Sequence, residues 1–462
     1  MSIDAKEFQE LARAAERAVG FAVKAGAGAA DAFLESVNEF RADVHAGRLE
    51  TLKQADRRGL GLRAIVDHRV AIVYTSDFRE ASLQDLARRA VVLARQSTAD
   101  EFADLPPGPL AAAHAEGALA LYDEPVVGLT AAQKIDMALA LEKVALGYDQ
   151  RITRTDGCTV QTTEASAHLA SSRGGVLSYR GTGMGLFVNP LADDAGGRQQ
   201  SGSYGSFGRS LAGVETPEQV GKEAGRRAVA RIGARSVPTQ KVPVILHPDI
   251  AAEWLGNFFN AFSGEGVFKN TSYLADKLGA VIASPLVTVV DDGTLPGGVA
   301  SAPFDGDGLP TRRNVLVDQG VCKTFVYDAY WARKAKAQST GNAVRGYTNV
   351  PFIGSRNLYI AKGASPPEEI RKSVDKGFYM VDQGAFGYNA TTGAYSYQAA
   401  GFWIEGGEIA YPVQEITVAS TTLDMLKNVV KVGDDLRFNG TVNAPTLLIS
   451  EMTISGGGPA GS

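Results

Sequence analysis

Apolar residues recur at helical spacing from residue 5 to 25, where Phe8, Leu11, Ala15, Val19 and Ala22 share one face, and this predicts an amphipathic helix. Four extended segments come next, at Phe40 to His45, Leu49 to Lys53, Gly59 to Val66 and Arg69 to Tyr74. The short polar or glycine-bearing turns between them predict an antiparallel meander. A second helix is expected from Ser82 to Gln96, with Ser82 as its cap and Asp85 in the place of a capping-box partner. Leu83, Leu86, Ala90 and Leu93 would face the core. Asp104-Leu-Pro-Pro-Gly-Pro109 reads as a surface linker, because consecutive prolines fix φ and remove donors. Thr130 and Gln133 form a full capping box ahead of a third helix carrying Ile135, Leu139 and Leu146 inward. From Arg151 to Phe207 the pattern changes to short strands rich in Gly, Ser and Thr. Thr216-Pro-Glu-Gln219 then opens a helix that ends near Gly233, and Ala234 to Lys241 links the halves.

The rest of the chain is arranged around the stretch from Val242 to Gly266. Val242 to Leu246 reads as a buried strand stopped by Pro248, and Asp249 reads as the cap of the next helix. Ala251, Leu255, Phe258 (or Phe259) and Phe262 keep helical spacing, and Gly264 and Gly266 are expected to end the element. Downstream, Asn314 to Tyr327 and Phe402 to Ala410 read as hairpins, the second turning at Gly406-Gly407. Ile416 to Val418 and Leu447 to Ile454 read as strands, Pro366 to Val374 and Leu423 to Val430 as helices, and Ser455 to Pro459 as a flexible tail. The pattern predicts an α+β protein: an N-terminal mixed helix and antiparallel-sheet domain over 1–234, and a C-terminal domain over 242–462 dominated by antiparallel β-sheet.

Length supports two domains, since one core rarely grows past about 250–300 residues and this chain has 462. A net charge of −5 offers no basic stripe for nucleic acid. No run approaches a membrane span, and the polar start Met1-Ser-Ile-Asp-Ala-Lys-Glu7 lacks the pattern of a secretory signal, so a cytoplasmic protein is expected. Cys158 and Cys322 lie far apart and read as two free thiols. The histidines, His45, His68, His114, His168 and His247, have no metal-ligand spacing. Asp291-Asp292 and Asp305-Gly-Asp307 read as acidic turns rather than as a site for a harder cation. No Gly-x-Ser-x-Gly elbow is present, and Ser201-Gly-Ser-Tyr-Gly-Ser-Phe-Gly208 lacks the Lys-Ser/Thr ending of a phosphate loop. Backbone turns or an exposed strand edge are the reading there.

The organising stretch, together with Ala283-Ser-Pro-Leu-Val-Thr-Val-Val-Asp-Asp-Gly-Thr294, resembles the C-terminal half of the TldD/PmbA family of bacterial peptidase proteins. Ala302-Pro-Phe-Asp-Gly-Asp-Gly-Leu-Pro-Thr311, Asn342 with Arg345, Gly59-Leu-Gly-Leu-Arg63 and Thr75-Ser-Asp77 extend the likeness over nearly the whole chain. Gly401 to Pro412 and Leu423-Asp-Met425 resemble the non-catalytic TldE (PmbA) branch. The catalytic TldD branch carries HExxxH where this chain reads Asn257-Phe-Phe-Asn-Ala-Phe262, and a cysteine ligand where it reads Phe438-Asn-Gly-Thr-Val-Asn-Ala444. The resemblance therefore implies a subunit without its own metal site. Its partner would be a TldD-type catalytic subunit holding zinc, and its substrate a short unfolded peptide; a homodimer when alone stays open. Ser263, Glu265 and Lys269, just past the organising helix, are the candidate peptide contacts. The alternatives are a peptidase active alone through unrecognised ligands, and a peptide-binding adaptor without proteolysis.

Overall fold

The computed structural model describes residues 3–110, 114, 117–384 and 387–456. Its N-terminal half runs α1 (Ala5–Lys24), β1 (Ala29–His45), β2 (Arg48–Val66), β3 (Arg69–Thr75), α2 (Glu80–Gln96), α3 (Glu124–Gly128), α4 (Ala131–Leu146), β4 (Ile152–Ser171), β5 (Val176–Asp193), β6 (Gln199–Ser201), β7 (Tyr204–Gly208) and α5 (Pro217–Ala230). The strands make one antiparallel sheet in the order β3-β2-β1-β4-β5-β6, with β7 also on β5. Helices α1 and α2 cover one part of this sheet, and α4 and α5 another, each with its own apolar core. Thr130 and Thr216 cap α4 and α5 through complete capping boxes, as their spacing predicts.

The C-terminal half holds β8 (Gln240–Leu246), α6 (Pro248–Phe259), α7 (Gly264–Phe268), β9 (Val289–Asp292), β10 (Arg313–Asp318), β11 (Val321–Cys322), α8 (Ala329–Lys334), β12 (Ala343–Val344), β13 (Phe352–Ile353), β14 (Asn357–Ile360), α9 (Pro367–Lys372), β15 (Lys376–Gln383), β16 (Ala394–Glu405), β17 (Glu408–Thr421), α10 (Thr422–Lys427), β18 (Val429–Val432), β19 (Val442–Asn443) and β20 (Leu447–Gly456). One sheet runs β11-β10-β9-β14-β19. The other runs β17-β16-β15-β8-β20-β18, and a further pairing of β17 with β20 closes it on itself. Closure covers part of the edge that β17 would otherwise leave bare. Bulges at Met380/Asp382 on β15 and at Ala399/Gly401 on β16 bend these neighbouring strands together. Helix α6 lies against β14, β15 and β19, so the organising stretch sits at the centre of the largest apolar core.

The α+β class holds, and several local expectations need correction. The segments at Leu49 to Lys53 and Gly59 to Val66 are one strand, β2. Its residues 48–58 are almost all exposed at the sheet edge, so no burial alternation marks them as a strand. Conversely, β1 begins at Ala29: Ala29 to Leu34 is buried on both faces, Asp31 included, so the run shows no alternation of apolar and polar positions. Helix α2 starts at Glu80 rather than Ser82. The Ser82 hydroxyl donates to Asp77 at 2.6 Å, and Val91 is buried while Leu93 is 47 % exposed. Asp249 is not the cap of α6: His247 holds that position and accepts the Asp249 N–H through Nδ1 at 3.2 Å. Gly264 and Gly266 do not end the helix. It stops at Phe259, makes a single 3-10 turn to Phe262, and Gly264 opens α7, where a Cβ would lie 2.2 Å from the Tyr327 ring. The expected helix at Leu423 to Val430 stops at Lys427, and Val429 begins β18. In the expected flexible tail, Ser455 and Gly456 belong to β20, and residues 457–459 lie outside the described residues.

Candidate functional site

Three of the motifs that carry the family likeness, at 59–63, 302–311 and 342–345, meet at the junction of the two halves. Gly61 brings β2 under the loop after β12: a Cβ there would stand 1.9 Å from the Tyr347 carbonyl oxygen, and one at Gly59 would enter the Tyr347 ring. Arg63, two residues on, forks to Asp31 on β1 and reaches Asp307 at 3.2 Å, while Arg345 reaches Asp31 at 3.2 Å. All four side chains are buried. Burial pushes the Asp31 carboxyl up, but Arg345 and Arg63 outweigh it and hold the group below its ordinary value. Asp305 accepts the N–H groups of Asp307, Leu309 and Ala343 at 3.0, 2.9 and 3.2 Å. Asn342 donates to Asp291 at 2.6 Å. The acidic turn is thus a junction, with its carboxylates committed to main-chain and arginine partners.

Asp328 caps α8, accepting the Trp331 N–H at 2.7 Å, and burial pushes its carboxyl up to about 7. A raised carboxyl favours the uncharged form in the fold. Its contribution is complete below the unfolded value and is lost as pH rises from about 4 to about 7. Asp328→Asn keeps a capping acceptor and cannot ionise. We expect it to flatten the fall in thermal stability across that same window, and to be the more stable chain above pH 7 by about 1–3 kcal/mol. Parallel curves for the two chains would refute this.

A second site lies between β6, β7 and α5 on one side and the start of α6 with β15 on the other. It is a cleft of about 770 Å³. Arg227, held on α5, donates to Glu223 at 2.8 Å and to Asp249 at 2.7 Å, and stacks over Tyr204 at 4.5 Å. Arg231 bridges the cleft from Ser201 to Asp382. Having lost the capping role, the Asp249 carboxylate faces this cleft. Phe187, Phe207, Tyr379 and Phe402 give it an apolar lining. Burial lowers the His247 pKa despite nearby Asp249, and pushes the Tyr379 hydroxyl up to about 12, so both groups are held uncharged at neutral pH. The walls offer hydrogen-bonding side chains of both signs and aromatic surface.

The residues that stand in place of HExxxH do not fit a metal. Trp254, Phe258 and Phe262 are each 0 % exposed. Phe258 stacks on Trp254 at 6.2 Å and meets Phe262 edge-on at 4.8 Å. Asn257 donates to the Tyr397 hydroxyl at 3.3 Å. These side chains supply no imidazole, thiolate or carboxylate donors. Among the described residues, no group of three or more His, Cys, Asp or Glu side chains is placed to hold an ion. Cys158 and Cys322 are buried free thiols, pushed up by burial to about 12 and about 11. They are inert at neutral pH.

Ser263 is the extended residue between the 3-10 turn and α7 and bridges to Val326. Glu265 and Lys269 pair with each other at 2.7 Å along α7, with Lys269 5.2 Å from the Trp331 ring. None of the three lines the cleft. The cleft residues Arg227, Arg231 and Asn439 escaped sequence reasoning. The i, i+4 spacing of the two arginines at the end of α5 was the available signal.

The architecture is that of a metallopeptidase family. Models of PmbA/TldA metallopeptidase domain 1, central domain and C-terminal domain match residues 30–94, 124–232 and 239–456. The chain is 30 % identical to the metalloprotease PmbA of Escherichia coli O157:H7, over 96 % of both chains. It is 28 % identical to a PmbA homologue of Haemophilus influenzae, over 97 % of this chain and 96 % of that one. A TldD homologue from Haemophilus influenzae is 26 % identical over 86 % of this chain and 87 % of its own length. The protein belongs to the PmbA/TldD metallopeptidase family. TldE from Thermococcus kodakarensis shares the fold, with a TM-score of 0.88 at 22 % identity over 96 % of this chain and 100 % of that one.

Proposed function

We propose that this protein is the non-catalytic, TldE-type subunit of a two-chain metallopeptidase that cleaves short unfolded peptides in the cytoplasm. A TldD-type partner holds the zinc, and this chain completes the chamber that receives the peptide. The observation that carries the reading is the pair Phe258 and Phe262, buried aromatics at positions where the catalytic branch needs a glutamate and a histidine. The cleft beside Arg227 and Arg231 is the main peptide contact, and Ser263, Glu265 and Lys269 form a second. Among the described residues no helix is long and apolar enough to cross a membrane.

Co-expression with a family relative bearing HExxxH tests the reading. The two chains should co-elute on sizing chromatography, through an interface burying over about 1,000 Å². Zinc and peptide cleavage should go with the relative, and cleavage should need both chains. Separate elution, or near-stoichiometric zinc retained by this chain alone after dialysis, would sink it.

A further inference from the structure

The outer edge of β6 and β7 borders the cleft, and side chains stand along it where another strand would pair. Arg231 donates to the Ser201 carbonyl, and Arg227 reaches the Ser203 carbonyl at 3.5 Å. Asn439, from the loop before β19, uses both ends of its amide. Its Nδ2 donates to the Gly205 carbonyl at 2.8 Å, and its Oδ1 accepts the Phe207 N–H at 2.8 Å. A side-chain amide so placed copies the donor and acceptor of a peptide unit in a neighbouring strand. The N–H and C=O of one strand residue point the same way, so the Gly205 N–H and the Phe207 carbonyl lie on this same edge.

We propose that the β7 edge at Gly205–Phe207 is a strand-addition subsite for an extended peptide, held closed in the free chain by Asn439. The proposal rests on the peptide-binding role proposed for this chain and adds the place and the gate. When peptide main chain takes the edge, Asn439 swings out with its loop, whose neighbours Arg437 and Phe438 are exposed. The arginines can release their carbonyls without becoming orphans. Arg227 keeps Glu223 and Asp249, and Arg231 keeps Asp382. Gly205 presents no side chain, so the incoming backbone can lie close, and Phe187 and Phe207 offer apolar contact to its side chains. Recognition is then through main chain, which suits peptides of varied sequence. Arg226, Arg227 and Arg231 face Asp249, Glu253 and Asp382 across the cleft, so the charges balance and binding should change little with ionic strength.

The test uses the full chain and a fluorescein-labelled dodecapeptide of alanine, serine and valine. Fluorescence anisotropy gives affinity, and hydrogen exchange gives protection of the Gly205 and Phe207 amides. Asn439→Ala removes the gate and should bind about tenfold tighter, which is about 1.4 kcal/mol. In the wild-type chain, peptide should slow exchange of the Gly205 amide. Peptide bound by the wild-type chain without Gly205 protection, or with equal affinity in Asn439→Ala, overturns the subsite and leaves the peptide-binding role standing. No binding by either chain overturns both. The exchange measurement on wild-type protein holds even if the variant folds poorly.

Discussion

Replacing Arg63 by alanine is expected to lower the stability of the folded chain by about 3–5 kcal/mol. Arg63 is 8 % exposed and Asp31 is 2 % exposed, and the guanidinium serves Asp31 and Asp307 together. Removing it leaves two buried carboxylates with Arg345 as the remaining cation, and Arg345 contacts Asp31 alone of the two. An uncompensated buried charge, rather than the lost bond itself, makes the effect large. Arg63→Lys should fall between, because its ammonium keeps the charge but concentrates its donors on one nitrogen and lacks the planar fork that pairs with Asp31 while reaching Asp307. Urea unfolding at pH 7 measures all three chains. An alanine variant within about 1 kcal/mol of the wild type would mean that the junction contributes little. The same network ties β1 and β2 to the turn at Asp305–Gly308, so its loss should also loosen the two halves.

Much of the fold could be read along the chain wherever local chemistry decides it. Thr130 and Thr216 meet their glutamines within one turn of helix, and Gly406-Gly407 takes the positive φ angles a tight turn requires. Where a partner distant in sequence decides, reading fails. Asp249 has the right residue type for a helix cap, yet His247 competes for that place, and Arg227 draws the carboxylate away. Ser82 lies inside α2, which has no side-chain cap, and its hydroxyl is taken up by Asp77. The residues 54–58 of β2 are held extended by pairing with β1 alone, and their polarity gives no sign of it. The cleft is harder still. Its walls come from β6, β7, α5, α6 and β15, and Asn439 reaches it from a loop notable in sequence only for lacking a cysteine. That the run from Asn257 to Phe262 carries no imidazole or carboxylate, in contrast, can be read from its residues directly.

Rewriting Asn257→His, Phe258→Glu and Phe262→His together would reproduce the sequence motif of the catalytic branch, yet it should unfold the protein rather than create a zinc site. Phe258 and Phe262 fill the core in contact with each other, Phe258 also stacking on Trp254, and removing a buried Phe side chain alone costs about 3–5 kcal/mol. The glutamate would then enter an apolar surrounding with no cation beside it, adding the cost of desolvating a charge. A zinc ion could offset this only if further donors stood opposite the helix. The loop at Phe438 to Ala444 has no thiol, and Asn439 is engaged with β7. The expected result is aggregated protein, or a chain with a far lower Tm, and no zinc retained after dialysis. Phe262→Ala alone should cost about 3–5 kcal/mol and fold in the cold. A triple variant that stayed soluble and kept one zinc per chain would show the surroundings still fit for metal, and the proposed division of labour between two subunits would then have to be redrawn.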